Sequence, residues 1–147
     1  MAFEKILVPT DGSEFTKIAI QKAIELAKFT GGKITALYVE DQTIFVNMPL
    51  DSAIMNVYSV LKKEGQTAVD YVRDQGAKYG VQVEEKVVEG SPVKVIIEAS
   101  ADYDIIVMGT LGRTGMSKLM MGSVAERVVR YSNCPVMVVR SPEVENK

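Results

Sequence analysis

Apolar residues recur with two different periods along this chain. Five short runs rich in β-branched residues read as strands: Ile6-Leu7-Val8, Ile34 to Val39, Val81 to Val88, Asp104 to Met108, and Val136 to Val139. Between them apolar positions fall at helical spacing. Phe15, Ile18, Ala19, Ala23 and Leu26 mark a first helix, and Ile54, Val57, Tyr58, Leu61, Ala68, Val69 and Val72 a long second. Val93, Ile96, Ile97 and Ser100 mark a third, and Val124, Arg127, Val128 and Tyr131 a fourth. The boundaries agree. Gly31-Gly32 and Gly80 follow the first two helices, where a left-handed residue is wanted. Ser91-Pro92 offers an N-cap and a first-turn proline, and Ser123 with Glu126 has capping-box spacing.

Strict alternation of strand and helix predicts an α/β fold, a mostly parallel sheet with helices on both faces in three layers. Right-handed crossovers leave few topologies, of which the commonest are doubly wound sheets whose order reverses beside the first strand. A chain of 147 residues without repeat or linker is the size of one domain, so residues 1–147 are expected to fold together. The segment from Glu40 to Ser52 is expected to be irregular, and the polar tail from Ser141 to Lys147 to fray.

Composition then removes several kinds of chemistry. Apolar content of 47% with 24% charged residues is that of a soluble globular protein. A formal charge of −2 and no dense basic block argue against nucleic acid as a partner. No apolar run approaches the ~20 residues needed to cross a bilayer, and the N-terminus runs straight into a strand with no signal peptide before it. The single cysteine, Cys134, cannot pair within the chain, which suits a reducing compartment. A cytoplasmic protein without membrane contact is expected, with Cys134 a packed thiol. Histidine is absent, which removes the commonest general base and the commonest transition-metal ligand. With one cysteine and no histidine, a structural zinc site is excluded.

In an open α/β sheet, ligands bind beyond the carboxyl ends of the strands where strand order reverses. Two segments follow such ends: Pro9-Thr10-Asp11-Gly12-Ser13 after the first strand, and Gly109-Thr110-Leu111-Gly112-Arg113 after the fourth, returning to Gly122-Ser123 at a helix start. Gly109 and Gly112 let backbone approach a ligand closely, and a helix start at Gly122, Ser123 and Val124 presents N–H groups and a positive dipole end to phosphate. Asp11 offers a carboxylate suited to ribose hydroxyls, Thr10 a further polar contact, and Val39 and Met108 apolar walls for a base. Neither a P-loop nor Gly-x-Gly-x-x-Gly is present. The actual pattern is Gly109, two residues, Gly112, nine residues, Gly122-Ser123.

That spacing, with Pro9-Thr10-Asp11 after the first strand, resembles the ATP-binding subgroup of the universal stress protein family. The likeness spans nearly the whole chain, through Ile6 to Ser13, Leu37-Tyr38-Val39, Gly90-Ser91-Pro92, Asp104 to Gly109, Gly122 to Glu126 and Cys134 to Val139. It implies a doubly wound, Rossmann-like five-stranded sheet of order 3-2-1-4-5 with ATP at the switch point. By that match Asp11 holds the ribose and Val39 meets adenine through its backbone. Gly109, Gly112, Gly122 and Ser123 surround the ribose and phosphates, with Mg2+ or Mn2+ riding on the phosphates. The full candidate set is Pro9, Thr10, Asp11, Val39, Met108, Gly109, Gly112, Arg113, Gly122, Ser123 and Val124. Leu111 departs from the polar residue that members often carry there, leaving Arg113 and Lys118 as the nearby cations.

Each candidate also has a plain structural reading. Ser123 and Asp11 can serve only as caps, Gly109 and Gly112 only as turn residues, and Met116, Met120 and Met121 as packing. Three functions are therefore compared. A nucleotide-responsive regulatory module, read by a protein partner or a second subunit, fits the loop. A slow or partner-dependent ATPase or phosphotransferase lacks an evident base beside the phosphates. A phosphorylation-controlled receiver wants an acidic cluster after the first strand, where Asp11 stands alone, and an acceptor Asp after the third, which ends Val88-Glu89-Gly90. The apolar run Val136 to Val139, if at the sheet edge, predicts antiparallel pairing with its own copy and a twofold homodimer.

Overall fold

The computed structural model describes residues 3–41, 51–110 and 121–140. The expected irregular segment (residues 42–50 of it) and the tail 141–147 lie outside the described residues. Along the chain come β1 (Lys5–Pro9), a 3-10 turn (Glu14–Thr16), α1 (Lys17–Thr30), β2 (Lys33–Asp41) and α2 (Ser52–Lys78). Then follow β3 (Val83–Gly90), α3 (Pro92–Ala99), a second 3-10 turn (Ser100–Asp102), β4 (Ile105–Gly109), α4 (Ser123–Tyr131) and β5 (Val136–Val139). All strand pairs are parallel, in the order β3-β2-β1-β4-β5. The α/β, doubly wound architecture expected from the pattern is the one observed.

Alternation along the strands divides the core in two. Ile6, Val8, Ile34, Ala36, Tyr38, Ile105 and Val107 face α1 and α2, where Ile20, Ala23, Ile24, Val69 and Val72 meet them. Leu7, Leu37, Ile106 and Met108 face the other way, onto Ile96 of α3 and Ala125 and Val128 of α4. Burying each such Leu, Ile or Val contributes roughly 1.5–3 kcal/mol. The two core clusters make the sheet the middle of three layers, so its carboxyl edge is held rigidly between helix pairs. Among the described residues, no helix is long and apolar enough to cross a membrane.

Local chemistry sets the helix ends. Gly31 closes α1 at φ 74°, its amide donating to the Ala27 carbonyl, as a left-handed cap requires. α3 starts as expected, with Pro92 in its first turn after Ser91. α2 is capped by a residue the apolar pattern does not single out: Asp51 accepts the Ile54 amide at 3.0 Å.

The expected capping box at α4 does not form. Gly122 occupies the N-cap, and Ser123 is the first helical residue, with no side-chain cap bond. The Glu126 amide donates instead to the Gly122 carbonyl at 3.0 Å, and the Glu126 carboxylate pairs with Arg130 at 3.2 Å. The reason is backbone bonding one residue earlier. Gly122 donates its own amide to the Thr110 carbonyl, which holds it extended at φ −62°, ψ 155° and leaves the helix to begin at the next residue.

Candidate functional site

Register places the exits of β1 and β4 side by side. Leu7 is level with Ile106 on β4, and Pro9 with Leu37 on β2, so the chain leaving β1 emerges between the ends of those two strands. On one side the Thr10 amide donates to the Leu37 carbonyl at 2.9 Å. On the other, Thr110 continues from the end of β4, and the Gly122 amide reaches its carbonyl at 2.7 Å. The start of α4 is thereby fixed at the carboxyl edge of the sheet, beside the β1 exit.

The loop after β1 is braced from within. Asp11 Oδ1 accepts the Ser13 amide at 2.9 Å, an Asx turn that sets the chain up for the 3-10 turn and α1. Thr10 is buried, and its hydroxyl accepts the Gly12 amide at 3.1 Å and lies 3.3 Å from the Thr16 hydroxyl. The Thr16 hydroxyl in turn donates to the Ser13 carbonyl at 2.8 Å. The side chain of Thr10 thus faces the α1 layer and is spent on loop geometry. Asp11, half-buried, keeps acceptor capacity beyond the Ser13 bond, since a carboxylate offers about four lone-pair directions. Ser13 Oγ is buried without a hydrogen-bond partner among the described residues.

Val39 and Met108 both pack into the core cluster on the α3/α4 side, Met108 buried and Val39 half-buried. They stand on β2 and β4, flanking β1, so they form two apolar borders on one face of the crevice. Pro9 ends β1 between them, and Gly109 ends β4 in a buried position.

At α4, the Gly122 amide is taken by Thr110, so it is not among the amides available to a ligand in this arrangement. Those of Ser123, Val124 and Ala125, in the first turn, have no partner among the described residues. Their N–H groups and the positive end of the helix dipole point out of the carboxyl edge of the sheet, where an anion is favoured. Sequence reasoning named Ser123 and Val124 but missed Ala125 and missed Thr110 as an anchor. Both act through backbone, which residue type does not disclose. Gly112 and Arg113, with Leu111, Met116, Lys118 and Met120, lie outside the described residues. Met121 is half-buried against the α3/α4 core, and so is Cys134.

The donor set suits a nucleotide better than a bare cation. Backbone amides at a helix start meet phosphate, an aspartate meets hydroxyls, and apolar borders meet a base. Among the described residues, no group of three or more Cys, Asp and Glu side chains could hold a metal ion.

The sequence profile described as the Universal stress protein family matches residues 2–140. Universal stress protein MJ0531 of Methanocaldococcus jannaschii is 39% identical over 145 residues, covering 97% of this chain and 85% of that protein. Among solved structures, that of MJ0577 is similar with a TM-score of 0.84 and 28% identity, covering 97% of this chain and 99% of that one. A universal stress protein solved in complex with cAMP shares the fold with a TM-score of 0.66 at 24% identity, covering 97% of this chain and all of that one.

Proposed function

The chain belongs to the universal stress protein family, and on that premise we propose that it binds an adenine nucleotide, ATP with Mg2+ or Mn2+ carried on the phosphates, and acts as a nucleotide-responsive regulatory module. The observation that carries this reading is the pairing of the Asp11 loop with the bare first turn of α4 across adjacent strands. Ribose then falls to Asp11, phosphates to the Ser123 and Val124 amides with Gly109, Gly112 and Arg113, and adenine to the crevice bordered by Val39 and Met108 above Pro9. Gly122 shapes the loop base and leaves room beside it. The cAMP complex of a protein with this fold supports a purine nucleotide as the ligand class.

Release of phosphate is not expected to be fast. Asp11, the carboxylate on the β1 exit, is assigned to the ribose end, and Glu40 and Asp41 are the carboxylates that end β2 beside it. We read the molecule as a cytoplasmic signalling element, working as a homodimer through the open edge of β5 and answering to a protein partner.

Calorimetric titration with Mg-ATP tests the ligand directly, alongside thermal melting. A ligand binding only the folded state at one hundred times its Kd stabilises by about 2.7 kcal/mol, which raises Tm by several degrees for a chain of this size. No heat and no shift with ATP, ADP, AMP or cAMP would remove the proposal.

A further inference from the structure

We infer that nucleotide binding and self-association are coupled in this chain through the backbone of Thr110, a regulation that rests on the nucleotide reading above. Thr110 makes two backbone hydrogen bonds in opposite directions. Its amide donates to the Val139 carbonyl at 3.1 Å, and its carbonyl accepts the Gly122 amide at 2.7 Å. One residue thus ends the β4–β5 ladder and fixes the N-cap of α4.

The first bond bears on the edge strand. β5 has four residues and among the described residues pairs with β4 alone. It is held at its two ends, by the Ile106 amide on the Pro135 carbonyl at 3.0 Å and by the Thr110 amide on the Val139 carbonyl. Since those two carbonyls face β4, alternation along the strand turns the N–H and C=O groups of Val136 and Val138 to the open edge. A second copy pairing there would bond to those groups, and their aim depends on both ends of β5 being pinned. Thr110 is the pin at the carboxyl end.

The second bond bears on the ligand. Phosphate held by the Ser123 and Val124 amides immobilises the first turn of α4. Gly122 directly precedes that turn, so its bond to Thr110 is fixed with it, and the Thr110–Val139 bond follows. Both bonds are formed without ligand, and a bound phosphate adds to their stability and so to the pin at the carboxyl end of β5. A ligand moves an equilibrium only by its different affinity for the two states, and the effect is reciprocal. Nucleotide therefore tightens the dimer, and the dimer tightens nucleotide.

The test is sedimentation velocity of the full chain over a range of concentrations, with and without Mg-ATP, together with calorimetric ATP affinities above and below the dimer dissociation constant. The expected result is ATP affinity per site raised about fivefold or more in the dimer, with the dimer constant lowered by the square of that factor, since each dimer carries two sites. Thr110→Pro removes the amide given to Val139 and keeps the carbonyl for Gly122. It should still melt higher with ATP while its dimer constant ignores ATP. ATP binding with an unchanged wild-type dimer constant, or a chain monomeric at every concentration, overturns the coupling and leaves the nucleotide reading intact. Absence of ATP binding overturns both. Should Thr110→Pro not fold, the wild-type reciprocity decides alone.

Discussion

Asp11 holds the amide of Ser13 at 2.9 Å through one carboxylate oxygen, so the residue assigned to ribose is also the brace of its own loop. The two roles separate by substitution. Asp11→Asn keeps an acceptor for the Ser13 amide but loses the charge and one acceptor, whereas Asp11→Ala loses the brace as well. We expect Asp11→Asn to melt close to the wild type yet bind ATP on the order of tenfold more weakly, in line with charge-assisted hydrogen bonds of 1.5–3 kcal/mol. Asp11→Ala should lose in addition about 1 kcal/mol of stability. Equal ATP affinity in wild type and Asp11→Asn would reduce Asp11 to a turn residue.

Gly122 offers a cleaner probe of the phosphate position. Its φ of −62° and ψ of 155° are open to any L-residue, so a side chain there does not strain the backbone. Gly122→Val should fold with Tm within a few degrees of the wild type and show no ATP-induced rise, because its methyl groups occupy the space beside the Ser123 and Val124 amides. A retained rise, measured by thermal melting at saturating Mg-ATP, would move the phosphates elsewhere.

A surface network between α2 and β3 sets a pH dependence. Gln66 bridges Asp70 at 2.8 Å and Glu85 at 3.3 Å, and Arg73 bridges the same two carboxylates at 3.3 and 3.2 Å. The hydrogen bond between the two acids, and then burial, push Glu85 above its ordinary range. The same bond, with that from Gln66, holds Asp70 below its own. The signs are opposite. As pH falls through the raised pKa of Glu85 the folded state gains stability; as it falls further through the lowered pKa of Asp70, stability is lost. Glu85→Ala should return Asp70 toward 3.8 and remove the first of these changes, as followed by carboxyl NMR titration. An Asp70 titration unmoved by Glu85→Ala would break this account.

The sheet was legible because its period was legible: β1, β4 and β5 are the apolar runs, alternation and handedness leave few topologies, and the resemblance to the universal stress protein family supplied the strand order. Boundaries moved where pairing outweighed composition. β2 continues through Glu40 and Asp41, charged residues that read as the start of a loop, because both stay in register with Glu89 and Gly90 of β3. Glu40 is 4% exposed there, which its residue type would not suggest. β3 begins at Val83 rather than Val81. In the site, Asp11, Ser123 and Val124 were readable as chemistry on a strand exit and a helix start. The inward turn of Thr10, the bonded amide of Gly122 and the double bond of Thr110 were not. Each is settled by where neighbouring carbonyls lie, and sequence carries no record of that.

Gly65 belongs to the same class and makes the sharpest stability test. It sits inside α2, where glycine costs about 1 kcal/mol relative to alanine, so helix propensity alone predicts that Gly65→Ala stabilises. Packing predicts the reverse. A Cβ at this position would lie 2.7 Å from Tyr38 Cδ1, 3.0 Å from Cε1 and 3.2 Å from Val87 Cγ1. Tyr38 is 5% exposed on β2 and locked in the α1/α2 core, so its ring cannot swing away without opening that core. The α2 axis must then lift from β2 and β3, and overpacking of this kind costs typically 1–3 kcal/mol. Urea denaturation of Gly65→Ala should show a lowered midpoint with an unchanged slope. A raised midpoint would mean that Tyr38 yields, and that the close approach of α2 to β2 does not depend on the missing side chain. Tyr38→Leu in the same background should restore part of the loss, because it removes the ring atoms the new methyl group meets.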